Sequence, residues 1–315
     1  MPSSADAQAG LPPADLSPYR PYAWLAEPER TAAGAVEEVA TIFLTNRRCP
    51  FSCIMCDLWK HTLDAPTPPG AIPRQIDYAL ERLPPARHIK LYNSGNFFDA
   101  KAIPPADHPA IAERVAGFET VIVENHPKLC TDDVLRFRDR LAGQLEVAIG
   151  LETSHAPTLA RLNKGMTLDD VRRAADFLLT NGIRIRAFVL LRPPFTTEEE
   201  GVERAIASLE FAFSLGIGCC AVIPTRDGTA AMDALRSSGD FAPPALTSLE
   251  RVADAGVAMG RGRVFVDLWD VARFYDCAAC GPARKERLHR MNLEQRVLPA
   301  ARCMSPRCAA SRSTA

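Results

Sequence analysis

The chain has 315 residues, 47% of them hydrophobic and 24% charged, which suffices for a full buried core and lies within the globular range. Its formal net charge of -1 excludes a global field that would draw in nucleic acid or an anionic membrane, so any such partner must be met by a local patch. No apolar run approaches the roughly 20 residues that span a bilayer, and the first twenty residues lack a basic start and apolar middle, so a cytoplasmic protein is expected.

Met1 to about Gly34 carries six prolines and no sustained apolar period, which predicts a loosely ordered arm with no chemistry of its own. From Val39 onward, short β-branched runs recur between amphipathic segments. Strands are predicted at Val39 to Leu44, His88 to Tyr92, Glu119 to Val123, Glu146 to Leu151, Ile185 to Leu191 and Cys219 to Ile223. Helices are predicted over Thr131 to Leu141, Thr167 to Asn181 and Thr197 to Leu215, each opening on a threonine cap followed by acidic residues. Gly182 and Gly216 stand where the last two helices should stop. This alternation predicts an α/β protein with a parallel sheet and right-handed crossovers, either an open doubly wound sheet or a barrel. Beyond Asp227 the pattern is less regular, with a helix at Leu246 to Met259, a seventh strand at Arg263 to Leu268 and a cysteine-bearing tail. The expected organisation is an N-terminal arm over residues 1–36, a core over 37–230 and a C-terminal extension over 231–315.

The ten cysteines fall into two close clusters plus strays, a pattern that suits metal ligation better than disulfides. Directly after the first strand the chain reads Thr45-Asn46-Arg47-Arg48-Cys49-Pro50-Phe51-Ser52-Cys53-Ile54-Met55-Cys56, three thiols within eight residues on a loop. A structural zinc site wants a fourth ligand close by, whereas an iron-sulfur cluster held by three thiolates leaves one iron open for chemistry. The tail supplies Cys277, Cys280, Cys303 and Cys308, enough for a four-thiolate zinc site or a second iron-sulfur cluster, which spacing alone does not separate. From Gly281 to Ala315 eight Lys/Arg stand against two Glu, a local +6 able either to grip a phosphate backbone or to form a solvated helix face. Cys130, Cys219 and Cys220 lack partners at ligand spacing, and the pair at the sixth strand reads as buried packing. His126 and His155 read as satisfied loop residues rather than site residues.

The Cys-x3-Cys-x2-Cys spacing after a first strand resembles the signature of the radical S-adenosylmethionine superfamily; Met55 stands where many members carry an aromatic residue. The resemblance covers about Glu37 to Asp227 and is similar in detail to the group containing the Elongator catalytic subunit, the tRNA methylthiotransferases and the archaeosine-forming radical enzymes. It implies a partial (β/α)6 TIM-type barrel with a cysteine-containing C-terminal extension. It further implies a [4Fe-4S] cluster on Cys49, Cys53 and Cys56, with S-adenosyl-L-methionine bound at the open iron. Ser94, Gly95 and Asn96 stand where the group carries a Gly-Gly-Glu-like turn that contacts the methionine amino group. Glu152, in a Gly-Leu-Glu-Thr-Ser segment, stands to bind ribose hydroxyls or the cofactor amine, Lys164 of Asn-Lys-Gly a carboxylate or phosphate, and Arg192 to act as a cavity cation. The implied activity is reductive cleavage of S-adenosylmethionine to a 5′-deoxyadenosyl radical that abstracts hydrogen from a substrate, with tRNA as one substrate class and flavodoxin or ferredoxin as electron donor. No catalytic side chain is assigned. The rival expectation is a non-catalytic, zinc-stabilised nucleic-acid-binding protein with both cysteine groups structural.

Overall fold

The computed structural model describes residues 16–303. In chain order its elements are β1 (Ala23–Arg30), β2 (Val36–Phe43), α1 (Ala71–Leu80), β3 (His88–Tyr92), α2 (His108–Arg114), β4 (Thr120–Asn125), α3 (Asp132–Arg138) and β5 (Gln144–Glu152). Then come α4 (Ala156–Arg161), α5 (Leu168–Thr180), β6 (Arg184–Leu191), α6 (Glu198–Ser214), β7 (Cys219–Pro224), α7 (Ala230–Ser238), α8 (Leu246–Ala258), β8 (Arg263–Val266) and α9 (Gly281–Glu294). The hydrogen-bonded strand order follows the chain from β1 to β8. All seven predicted strands are present, within a few residues of their expected bounds. No helix among the described residues is long and apolar enough to cross a membrane.

The chain forms two compact units, one of Met1–Gly150 with Asn163–Arg186, the other of Leu151–Leu162 with Ala187–Ala315. In the first unit β2, β3, β4 and β5 run parallel, and β1 pairs antiparallel with β2. The central strands are β-branched because both of their faces are covered: Val121, Ile122, Val123, Val147 and Ile149 are all buried. Ile72 and Ile76 of α1, Ile111 of α2 and Phe137 of α3 complete that core.

The loosely ordered arm expected from the sequence does not hold over Ala23–Arg30, which is β1. Its composition hid it, because as an edge strand it buries little besides Glu29 and tolerates Pro28, while its stability comes from backbone pairing with β2. The hairpin to β2 turns through Thr31 to Ala35, with Gly34 at φ +84°.

A second feature without an apolar signal lies inside this unit. Thr41, Lys90, Ile122 and Glu146 form one register row across β2, β3, β4 and β5, so their side chains leave the same face. There Lys90 donates to Glu29 at 2.5 Å, and Arg186 donates to Glu29 at 2.6 Å and to Glu146 at 2.8 Å. All four charged residues are buried. Burial alone would raise the Glu29 carboxyl, but Arg186 and Lys90 outweigh it and hold it well below the usual carboxylate range.

The helix starts follow the sequence with one exception. Thr167 and Thr197 each form a full capping box, with Asp170 and Glu200 respectively. Thr131 precedes α3 but makes no side-chain cap bond there, so its helix starts on Asp132 and Asp133. In the second unit β7 and β8 pair in parallel from Cys219↔Arg263, and Cys219 and Cys220 are fully buried in accord with a packing role.

Candidate functional site

The cysteine loop begins where β2 ends, and its stem is fixed before the first thiol. Gln75 of α1 clamps Thr45 on both sides, accepting from its N–H at 2.8 Å and donating to its carbonyl at 2.7 Å. Asn46 donates to the Asn93 carbonyl and accepts from the Asn93 amide at 3.2 Å, tying the ends of β2 and β3 together. Arg47 and Leu63 form an isolated parallel bridge, and the Arg47 N–H donates to Thr67 at 3.0 Å. From that stem Cys49, Cys53 and Cys56 project half-exposed, with a turn closed by the Cys56 N–H on the Cys53 carbonyl. Burial pushes the Cys49 and Cys56 thiols up, and the Lys164 charge works against that rise at both.

The Ser94-Gly95-Asn96 turn lies against this loop. A Cβ on Gly95 would stand 3.5 Å from the Cys49 Cβ. The Asn96 amide donates to Cys49 Sγ at 3.2 Å while its oxygen accepts from the His126 N–H at 2.8 Å. The turn itself is held from below by Glu124, at the end of β4, whose carboxylate accepts from the N–H groups of Asn93 at 2.6 Å and Gly95 at 3.3 Å. Burial raises the Glu124 carboxyl to about 7 against these hydrogen bonds and the Lys164 charge. Ser94 sits at φ +52°, and its hydroxyl pairs with the Tyr22 phenol at 2.7 Å.

The Asn163-Lys164-Gly165 segment reaches the same loop from the other side. The Asn163 amide donates to the Ser52 carbonyl at 2.9 Å, and Gly165, at φ +70°, lies beneath the Phe51 ring. Phe51 stacks on His126 with centroids 3.8 Å apart and planes 12° from parallel. His126 also meets the Lys164 carbonyl at 3.0 Å through Nε2, and burial with the Lys164 charge lowers its pKa to about 4. A neutral imidazole thus props the loop.

Sequence reasoning missed Tyr22, Glu124 and the structural part of His126. Tyr22 was set aside with the arm, although its ring stacks on His61 at 4.7 Å. Glu124 carried one available signal, a carboxylate at the C-terminal end of a parallel strand, where ligands of such sheets bind. His155 is satisfied locally, capping the short α4 by accepting from Thr158.

Glu152 and Arg192 belong to the second unit. Glu152 ends β5 and Arg192 directly follows β6, both in left-handed backbone, at φ +64° and φ +52°, a conformation that costs a non-glycine residue about 1–2 kcal/mol. Glu152 is buried. Arg192 donates through Nη1 to Glu198 and to the Pro243 carbonyl, while its buried Nε has no hydrogen-bond partner among the described residues.

In the tail, Cys277, Cys280 and Cys303 place their sulfurs within 4.8 Å of one another. Cys308 lies outside the described residues. The basic run between them is largely consumed: Arg284 and Arg287 are buried, paired with Glu250, Asp276 and Asp254, and Arg290 and Arg296 pair with Glu294.

No family model matches the chain. In sequence it is similar to an uncharacterised protein of Methanocaldococcus jannaschii, 25% identical over 280 residues, 82% of this chain and 76% of that protein. It is also similar to archaeosine synthase subunit beta of Methanosarcina acetivorans, 25% identical over 233 residues, 69% of this chain and 66% of that one. Among solved structures, a radical SAM methyltransferase from Sphaerobacter thermophilus superposes with a TM-score of 0.51 at 16% identity, over 80% of this chain and 77% of that one. The fold is that of the radical S-adenosylmethionine (SAM) enzymes. The archaeal Elp3 of Methanocaldococcus infernus superposes as well, with a TM-score of 0.52 at 14% identity over 73% of this chain and 60% of that one. SuiB of Streptococcus suis bound to S-adenosylmethionine gives 0.53 at 12% identity over 71% and 49%. The α/β architecture is accordingly a partial TIM-type barrel carrying a cysteine cluster in its C-terminal part.

Proposed function

We propose that this protein is a radical SAM enzyme whose Cys49, Cys53 and Cys56 hold a [4Fe-4S] cluster. The observation that carries the reading is the three-thiol loop fixed to the end of β2 of a radical SAM fold, with Asn96 hydrogen-bonded to Cys49. The donor set fits such a group. Burial resists ionisation of the Cys49 and Cys56 thiols, and the Lys164 charge at both, with the Asn96 amide at Cys49, offsets that cost, as an anionic thiolate cluster requires.

Cys49, Cys53 and Cys56 would hold the cluster, which when bound would supply the one-electron reduction of S-adenosylmethionine that starts radical chemistry on the substrate. The chain's own work is positioning. Glu124 holds the Ser94-Gly95-Asn96 turn so that its backbone can receive the cofactor's methionine end, and Asn96 orients Cys49. Phe51, stacked between His126 and Gly165, closes one side of the loop to water. Glu152 is assigned to the ribose hydroxyls or amine, Lys164 to a carboxylate or phosphate, and Arg192, with its unpartnered Nε, to an anionic group.

The substrate class favoured by the likeness to archaeosine synthase subunit beta is tRNA, and the electron donor is a flavodoxin or ferredoxin. The ion pairs of Arg284 and Arg287 occupy those two guanidinium groups, leaving any phosphate contact to other basic residues.

Anaerobic reconstitution, followed by iron and sulfide analysis and assay of 5′-deoxyadenosine after dithionite reduction with S-adenosylmethionine, tests the reading. About four irons per chain and 5′-deoxyadenosine formation are expected, and both are lost in Cys49→Ala, Cys53→Ala or Cys56→Ala. Retained turnover in any of the three variants refutes the assignment, and a colourless zinc protein that forms no 5′-deoxyadenosine favours the binding-protein alternative.

A further inference from the structure

We propose that Cys277, Cys280 and Cys303 form a structural site for a single zinc ion, separate from the cysteine loop after β2. The sequence leaves zinc and a second iron-sulfur cluster equal, and the sulfur spacing separates them. A tetrahedral zinc with bonds of about 2.3 Å sets its thiolates roughly 3.8 Å apart. The Cys277 and Cys303 sulfurs stand 3.9 Å apart, and all three sulfurs lie within 4.8 Å of one another. Thiolates on a cubane cluster cap different irons and diverge, which this triad has no room to do. The separation also excludes a disulfide, whose sulfurs stand about 2.05 Å apart.

The fold explains how residues 26 apart in sequence arrive at one point. Cys277 and Cys280 sit just before α9, with the Gly281 N–H donating to the Cys277 carbonyl at 2.8 Å and the Arg284 N–H to the Cys280 carbonyl at 3.0 Å. The helix then carries the chain about 21 Å away over its 14 residues. Gln295, at φ +50°, ends the helix, and residues 296–303 can cover roughly 26 Å when extended, enough to return to its start. Arg287, halfway along α9, holds the returning segment by donating to the Leu298 carbonyl at 2.6 Å and the Pro299 carbonyl at 3.1 Å. Leu298 is buried beneath it.

The zinc thus closes a loop that Arg287 also fastens, and its work is to keep 296–303 on α9. Binding exchanges the thiol protons for the ion with no change of oxidation state.

The test separates this site from the cluster loop. In the full-length chain with Cys49→Ser, Cys53→Ser and Cys56→Ser combined, metal analysis is expected to find about one zinc per chain with no visible absorbance. Adding Cys277→Ser or Cys303→Ser should remove the zinc and make 296–303 labile to limited proteolysis. Iron in place of zinc, or zinc retained in both added variants, overturns the proposal. Should the triple variant not fold, zinc-edge X-ray absorption on the wild-type protein decides: a zinc shell of three or four sulfurs at about 2.3 Å supports the site, and zinc without sulfur ligands overturns it.

Discussion

Glu124→Gln isolates the group that positions the Ser94-Gly95-Asn96 turn. Its carboxyl is displaced from 4.5 to about 7 by burial, against the N–H donors of Asn93 and Gly95 and the charge of Lys164. A folded-state pKa above the unfolded one means stability that is fully present below pH 4.5 and lost as pH rises through about 7. At 1.36 kcal/mol per pH unit the whole loss is about 3 kcal/mol, of which about 2 kcal/mol falls between roughly pH 5.5 and 8. Glutamine keeps a carbonyl for the turn but cannot ionise, so the variant lacks this slope. Urea unfolding of the cluster-free protein at four pH values measures it. With a urea slope of about 3 kcal/mol/M, the wild-type midpoint should fall by roughly 0.7 M relative to the variant across that range. His126 and Glu29, both with lowered pKa values, act in the opposite sense, losing stability as pH falls; they are present in both proteins and cancel in the comparison. Parallel pH courses for wild type and variant would refute the reasoning.

Two further outcomes test the architecture around the site. Arg186→Met strips Glu29 and Glu146 of their shared buried partner and should cost about 3–5 kcal/mol in urea unfolding, most of it recovered when Glu146→Gln is added; a loss under about 1 kcal/mol would show the network to be solvated. Gly165→Ala meets only ordinary contact with Phe51, 3.5 Å away, so its cost should be the backbone term of about 1–2 kcal/mol at φ +70°, read as a lowered Tm with the cysteine loop still able to bind iron.

The motif-bearing part of the protein was legible because its signals are local. Cys49, Cys53 and Cys56 lie within eight residues, the strands are β-branched runs buried on both faces, and Thr167 and Thr197 cap helices three residues from their acidic partners. Each depends on spacing along the chain, which a sequence displays directly. What tertiary structure alone decided depends on residues brought together from afar. β1 has no apolar period because an edge strand is held by its backbone, so Tyr22 and Glu29 passed as parts of an unstructured arm. Glu124 reads as one more strand-end carboxylate until the turn after β3 is folded against it. The tail shows the same division in charge and in metal. Its Arg/Lys excess was visible, but only packing shows that α8 and the segment before α9 neutralise Arg284 and Arg287. Its cysteines were visible as well, but one ion and four irons differ in the distance between sulfurs, a quantity set by the return of residues 296–303 along α9 rather than by spacing in the chain.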